Sequence, residues 1–330
     1  MTDGRRPAFA IIGPTAVGKT RAGFELARRV GAEIISVDSR QVYRYLDVGT
    51  DKISAAERKI IPHHLIDVAD PDEIFTVADF VAQTGSAMRR ISARGRIPLL
   101  VGGTPMYYRA LEGNMLSESL PSDKSVRREL EEEANLGGNP ALHARLAAVD
   151  PESAERIHPN DRVRTVRALE IYALSGRTAT ELYSGNKKIG AGASDESNSL
   201  KMFYFGFNSP RKILYERIAR RVAEQFASGY PEEVKWLLDN GYRRNLPALR
   251  GFGYRELVMF LDGLISFEEA LQGDIKSTKA FARRQMTWFK HFSPIVWYDL
   301  SAESFERAVG DMEKIITGGD RIVNTESGRA

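Results

Sequence analysis

Short apolar runs alternate with amphipathic stretches along the first hundred residues. The runs Ala8–Ile12 and Glu33–Val37 have the length and β-branched content of buried strands, and the stretch Arg21–Val30 between them has helical periodicity. A third short strand is expected at His64–Asp67, then a helix over Val77–Ser92 with Phe80, Met88 and Ile91 apolar. Ile97–Val101 reads as a buried strand, followed by a helix carrying Met106, Tyr107, Tyr108 and Leu111. Strands alternating with helices in this way predict a parallel sheet with crossover helices. The pattern changes near Asn114, and from Asp123 to Ser175 only helices are predicted. Arg127–Glu133 is charged, Leu142–Val149 is amphipathic and Asp161–Leu174 strongly so. Asp150-Pro151 opens one of these helices with an N-cap carboxylate and a first-turn proline. Gly185–Asn198 is poor in apolar residues and reads as a flexible loop. Lys201–Phe207 restores the last expected strand, later helices return to the core, and Ile316–Ala330 reads as a loose tail.

The first strand runs straight into Gly13-Pro-Thr-Ala-Val-Gly-Lys-Thr20, the spacing of a phosphate-binding loop. Gly13 and Gly18 let the loop from Pro14 through Thr15, Ala16 and Val17 curl its N–H groups inward. Lys19 adds a point charge, Thr20 offers a hydroxyl to Mg²⁺, and the next helix contributes its positive end. The expected fold is therefore α/β: a P-loop NTPase-like parallel sheet core over residues 1–114 and 200–330, with helices on both faces, interrupted by an all-helical insertion over residues 115–199. Nucleotide hydrolases and kinases of this class also need a strand ending in a Mg²⁺-organising Asp. Ile97–Val101 ends instead in Gly102-Gly103-Thr104; Asp38 and Asp67 offer an acid outside the usual pattern, which weakens ATP hydrolysis and leaves room for a site where diphosphate is a leaving group.

Asp38 falls just past the second strand, where open α/β sheets bind ligands, and a carboxylate there can take a proton from a nucleophile. Gln41 can offer its amide to a base edge, and Thr104 is placed for a phosphate or bridging oxygen. Each also has a plain reading, as a turn acid, a surface amide and a helix N-cap.

Composition narrows the picture. The 330 residues carry a net charge of only +3, so a nucleic-acid partner must be argued from charge distribution. Arg211, Lys212, Arg217, Arg220 and Arg221 cluster, and Lys276, Lys279, Arg283, Arg284 and Lys290 recur on a C-terminal helix without an intervening acid. The absence of cysteine excludes disulfides, cysteine-zinc sites and a thiol nucleophile. No apolar run approaches a bilayer span and no signal peptide is visible, so no membrane partner and a cytoplasmic location are expected.

Taken in order, the phosphate loop, Asp38-Ser-Arg-Gln-Val-Tyr43, Asp47-Val-Gly-Thr-Asp-Lys52, Pro62-His-His-Leu-Ile-Asp67 and Val101-Gly-Gly-Thr104 with Tyr107 resemble the tRNA dimethylallyltransferases. His158-Pro-Asn-Asp161, Arg164, Arg167-Ala-Leu-Glu170, Gly253-Tyr254 and Arg284-Gln-Met-Thr-Trp288 continue the resemblance. It implies transfer of the dimethylallyl group of dimethylallyl diphosphate to N6 of the adenosine 3′ of the anticodon, with Mg²⁺ assisting and diphosphate leaving. Residues Gly13 to Thr20 with Arg217 and Arg221 would bind the donor, Asp38 would act as general base, and Thr104 would bond the bridging oxygen. The tRNA anticodon stem-loop would be met by Asp38, Ser39, Arg40, Gln41, Thr104, Arg127, Val163, Arg164, Thr165, Val166, Arg167 and Arg284. A monomer of bacterial type, with no zinc finger, fits the resemblance. Arg40 replaces the family's usual Met and Val163 its usual Gln, so no side-chain contact carries over at Val163; Gln225 and Phe252 read as packing variants, and His63 and His64 as structural. Trp288 is expected in the core.

Three other readings stay open on the residues alone. Prenylation of a free adenine nucleotide would not need the insertion or the C-terminal basic helix. A small-molecule kinase would need the missing strand-end acid. A non-catalytic RNA-binding protein would not need Lys19, Thr20, Asp38 and Thr104 intact.

Overall fold

The computed structural model describes residues 7–113, 122–182, 200–301 and 304–318. It forms two compact units, one from residues up to Tyr108 and from Leu200 onward, the other from Arg109 to Ser199.

The first unit is built on a six-stranded sheet in the order β3-β2-β4-β1-β5-β6, with every neighbour parallel. The strands are β1 (Ala8–Ile12), β2 (Ala32–Val37), β3 (His63–His64), β4 (Ile97–Gly102), β5 (Met202–Asn208) and β6 (Ile295–Asp299). Every residue of β1 and β2 is buried, the signature of a parallel sheet covered on both faces. Aromatic packing fixes the centre: Phe9 stacks on Phe205 at 5.9 Å, and Tyr204 meets Tyr108 and Phe292 edge-on. Helix α1 (Lys19–Val30), the short α2 (Ala55–Ile60) and α3 (Val77–Ala93) belong to this unit, and α1 and α3 pack on β2 and β4. Because β4 lies between β1 and β2, the loops leaving the C-terminal ends of these three strands are neighbours.

Two differences from the sequence expectation stand out in the sheet. The third strand stops after two residues, because Leu65 and Asp67 take left-handed backbone angles (φ 62° and 57°) that cannot continue an extended chain. A sixth strand, Ile295–Asp299, was not anticipated; Tyr204 to Asn208 of β5 pair with it in parallel. Ile316, expected to open a loose tail, is instead buried in the helix Phe305–Thr317; residues 319–330 lie outside the described ones.

The second unit is helical among its described residues: α4 (Pro105–Leu111) leads into it, followed by α5 (Lys124–Val149), α6 (Pro151–Arg156) and α7 (Arg162–Ser175). Helix α5 breaks at Gly138, whose φ is 81°, just before Pro140. Asp150 caps α6 through the Ser153 N–H, as the Asp-Pro pair predicts. Helix α7 is less cleanly amphipathic than expected, with Glu170 buried and Val163 80 % exposed. The loop expected at Gly185–Asn198 lies outside the described residues.

Candidate active site

The phosphate loop joins β1 to α1. Helix α1 opens at Gly18 in the left-handed region (φ 107°), with no side-chain cap and no acid in its first turn. Its leading N–H groups and positive end are thus left for an anion. Lys19 curls back so that its Nζ donates to the Pro14 carbonyl at 2.8 Å. Burial lowers its ammonium from an ordinary 10.5 to about 8; Asp38 opposes this, Arg221 adds to it and Asp51 opposes it. Thr20, on the first turn, is exposed.

Arg221, on the helix Arg211–Ala227, donates from Nη2 to the Thr15 hydroxyl at 2.7 Å and lies 3.4 Å from Asp51. Its Nε is buried and makes no hydrogen bond among the described residues, so one guanidinium donor is left without an acceptor. Arg217 stands one turn earlier on the same helix and is partly buried. An exposed hydroxyl at Thr20, a helix N-terminus and an unsatisfied guanidinium N–H suit a diphosphate. Among the described residues no group of three His, Asp or Glu side chains could hold a metal unaided. The Thr20 hydroxyl could offer Mg²⁺ one oxygen ligand, the donor type this hard cation takes.

Opposite the loop stand Asp38 and Thr104. Oδ1 of Asp38 accepts the N–H groups of Arg40 (2.8 Å) and Gln41 (3.3 Å), while Oδ2 makes no hydrogen bond to a described residue. The Thr104 hydroxyl oxygen accepts the Ser39 N–H at 3.2 Å, which leaves its own proton free to donate. The pairing of Val37 with Gly102 at the strand ends holds the two residues side by side.

Several expected contacts are redirected. The Gln41 amide, expected to meet a base edge, is turned inward: Oε1 accepts from Ser36 at 2.9 Å and Nε2 donates to the Thr50 carbonyl at 3.2 Å. Arg40, expected as an added cation near RNA, bonds the Ala248 carbonyl and fills the space that any side chain at Gly251 would occupy. Trp288, expected in the core, is 45 % exposed, while its neighbour Phe289 is buried. Arg284 is exposed on the helix Phe267–Phe289, 6.0 Å above the Phe281 ring.

In the second unit, α7 divides its candidates by face. Val163 and Arg164 are exposed, Arg164 paired with Asp161. Thr165 and Val166 are buried in the unit's own core, which takes their side chains off the RNA-facing surface expected of them. Arg127 and Arg167 both pair with the fully buried Glu170, at 2.9 and 2.7 Å. Their charged ends are thereby held in fixed positions.

Two organising residues carried no role in the sequence reading. The Glu233 carboxylate accepts consecutive N–H groups from Asp47 (2.7 Å), Val48 (2.6 Å) and Gly49 (3.3 Å), and the Tyr254 hydroxyl at 2.7 Å. Gln285, 3 % exposed, accepts the Thr15 N–H at 2.9 Å and donates to the Gly103 carbonyl at 2.5 Å. Gln285 lies inside a matched motif, which was the only signal for it. Nothing in the sequence marks Glu233.

A family model described as IPP transferase matches residues 41–292, and one described as Isopentenyl transferase matches residues 7–66. The chain belongs to this family. It is 39 % identical to the tRNA dimethylallyltransferase of Thermomicrobium roseum over 98 % of its length and 97 % of the relative's. Its identity to the tRNA dimethylallyltransferase of Geobacter metallireducens is 44 %, over 87 % of the chain and 90 % of the relative. The crystal structure of a tRNA isopentenylpyrophosphate transferase from Bacillus halodurans superposes with a TM-score of 0.69 at 37 % identity, covering 96 % of this chain and 97 % of that one. A eukaryotic dimethylallyltransferase acting on tRNA is similar in fold, with a TM-score of 0.77 at 24 % identity over 95 % of this chain and 80 % of that one. In this chain the phosphate loop, Asp38 and Thr104 gather at the C-terminal ends of β1, β2 and β4. Among the described residues no helix is long and apolar enough to cross a membrane.

Proposed function

We propose that the chain transfers the dimethylallyl group from dimethylallyl diphosphate to N6 of the adenosine 3′ of the anticodon in tRNA, releasing diphosphate. The observation that carries this is the placement of an anion cradle opposite a carboxylate with one free oxygen and a hydroxyl with one free proton. The N6 nitrogen bonds to C1 of the donor as the C1–O bond to diphosphate breaks. The N6 lone pair is delocalised into the ring, so its proton must leave as the bond forms, and Oδ2 of Asp38 is the base that takes it. Such a base contributes about 10²–10⁴-fold. Thr104 donates its hydroxyl proton to the bridging oxygen. Lys19, Arg217, Arg221 and the loop N–H groups beyond Thr15, whose own N–H is held by Gln285, stabilise the charge that grows on the leaving diphosphate. The Thr20 hydroxyl would hold Mg²⁺, which supplies further neutralisation of that charge.

The acceptor base is single-stranded in the anticodon loop, so extruding it costs less than from a duplex. Supporting RNA as the substrate are exposed Lys276, Arg283, Arg284 and Lys290 in the first unit and, in the second, exposed Arg164 with the partly exposed Arg127 and Arg167 that Glu170 holds. We read the protein as a cytoplasmic monomer. The direct test supplies labelled dimethylallyl diphosphate with unmodified tRNA, and with free AMP in parallel. Label on the tRNA adenosine is expected. Label on AMP alone would move the chain to free-nucleotide prenylation, and phosphate release from ATP without transfer would mark a kinase or hydrolase.

A further inference from the structure

Gln285 joins the two halves of the candidate site through a single amide. Its Oε1 accepts the N–H of Thr15 in the phosphate loop at 2.9 Å, and its Nε2 donates to the carbonyl of Gly103 at 2.5 Å. Thr15 N–H can only donate and the Gly103 carbonyl can only accept, so the site demands one donor and one acceptor on the same side chain. A neutral amide meets that demand. A carboxylate, an ammonium or an aliphatic chain does not.

The contact is buried and close. A Cβ on Gly103 would sit 2.4 Å from Nε2 of Gln285 and 3.4 Å from Nζ of Lys19. The second glycine of the Gly-Gly-Thr turn thus accommodates a protein amide beside the loop lysine. Thr15 is held from its other side by Arg221 on its hydroxyl. The residue after Gly103 is Thr104, whose hydroxyl takes the Ser39 N–H next to Asp38. A short chain of bonds therefore runs from the donor cradle through Gln285 and Gly103 to Thr104 and the Asp38 turn.

We infer that Gln285 is a positioning residue that sets the separation between the diphosphate cradle and the Asp38–Thr104 pair. This rests on the transferase reading above. Reaction between two bound partners depends steeply on their spacing, and a displacement of about 1 Å costs about 10²-fold in rate. Losing both bonds would also leave a part-buried N–H and a buried carbonyl unsatisfied.

Gln285→Leu removes both bonds at similar volume, and Gln285→Glu keeps the acceptor for Thr15 but sets an anionic oxygen against Gly103. Single-turnover transfer to tRNA is measured at saturating donor, normalised to sites counted by donor binding, from pH 5.5 to 8.5. Gln285→Leu should slow the per-site rate about 10²-fold at every pH while donor Kd moves less than about threefold. Gln285→Glu should be comparably slow at high pH and recover as the pH falls, because the protonated carboxyl again offers one donor and one acceptor. A role confined to fold stability would change the number of active sites without this pH-dependent rescue. A per-site rate within about twofold of wild type in Gln285→Leu overturns the inference. So does a Gln285→Glu loss that is the same at every pH, which also decides the matter if Gln285→Leu does not fold. Wild-type protein run alongside separates the two ideas: no transfer by wild type overturns the proposed function itself, whereas normal wild-type transfer with unaffected variants overturns only the role of Gln285.

Discussion

Gly102 lies so close to Val37 that a Cβ on it would sit 2.1 Å from the Val37 carbonyl oxygen and 2.7 Å from its Cα. The contact is backbone on backbone, at the point where β2 and β4 hand over to the loops bearing Asp38 and Thr104. A methyl group has no flexible neighbour to displace there. Gly102→Ala should therefore spread the strand ends, lower stability by about 2 kcal/mol or more and cut transfer disproportionately. Denaturant melts paired with turnover check this, and a variant of wild-type stability and rate would show that the strand ends yield freely.

Lys19 makes donor binding pH-dependent. Its ammonium titrates at about 8 in the free protein, chiefly because it is buried. A bound diphosphate stabilises the cation, so affinity is full below pH 8 and falls as the pH rises through that value. Donor Kd should weaken about fivefold between pH 8 and 9, since the charged fraction falls from a half to about a tenth. Lys19→Arg, which stays charged over this range, should bind with a flat profile. Isothermal titration across the range reads both, and an equally flat wild-type curve would contradict the assignment.

Asp274 couples stability to pH in the opposite half of the scale. Burial raises its carboxyl from 3.8 to about 6; the Thr278 hydroxyl opposes the shift, Glu256 adds to it and Arg221 opposes it. The folded chain therefore holds a proton that the unfolded chain has already lost. The resulting stability is complete below pH 3.8 and disappears as pH rises through about 6, with an upper bound of roughly 3 kcal/mol. Asp274→Asn should remove that dependence and stand about 1–2 kcal/mol above wild type at pH 8. Urea midpoints at pH 5 and pH 8 give the difference; a wild-type-to-variant gap that does not change with pH would refute the raised carboxyl.

Glu170 is expected to matter for RNA although it touches none. Its side chain is fully buried and accepts from Arg127, Arg167, the Ser122 hydroxyl and the Asp123 N–H. Glu170→Ala strands these donors and should cost about 3–5 kcal/mol, the usual result of breaking a buried pair from one side. Binding of tRNA at fixed salt should weaken with it, because Arg127 and Arg167 lose their fixed directions. Unchanged tRNA affinity in a folded variant would separate the two arginines from the RNA surface.

Much of the core was legible in the sequence because its signals are local. The buried runs of β1, β2 and β4, the glycine spacing of the phosphate loop and the Asp-Pro start of α6 each follow from neighbouring residues. The failures share the opposite property. His64–Asp67 looked like a strand, but Asp67 bonds Lys52 at 2.7 Å and also pairs with Arg58, and its left-handed backbone ends the extended run. Trp288 looked like core by residue type, yet its place on the helix Phe267–Phe289 leaves it outward while Phe289 turns in.

The sequence by itself determined the phosphate loop, the parallel α/β class, the helical character of residues 124–175 and the identity of the chemical groups at Lys19, Thr20, Asp38 and Thr104. Periodicity and glycine spacing are written in consecutive residues, so no partner is needed to read them. Only the tertiary structure decided what those groups touch. It brought Gln285 to Thr15 across 270 positions, Arg221 to Thr15 across 206 and Glu233 to Asp47 across 186. It also spent the Gln41 amide and the Arg40 guanidinium inside the protein. A side chain's bonding capacity is fixed by its chemistry, but which partner claims it depends on which distant backbone groups the fold buries beside it, and no local pattern encodes that.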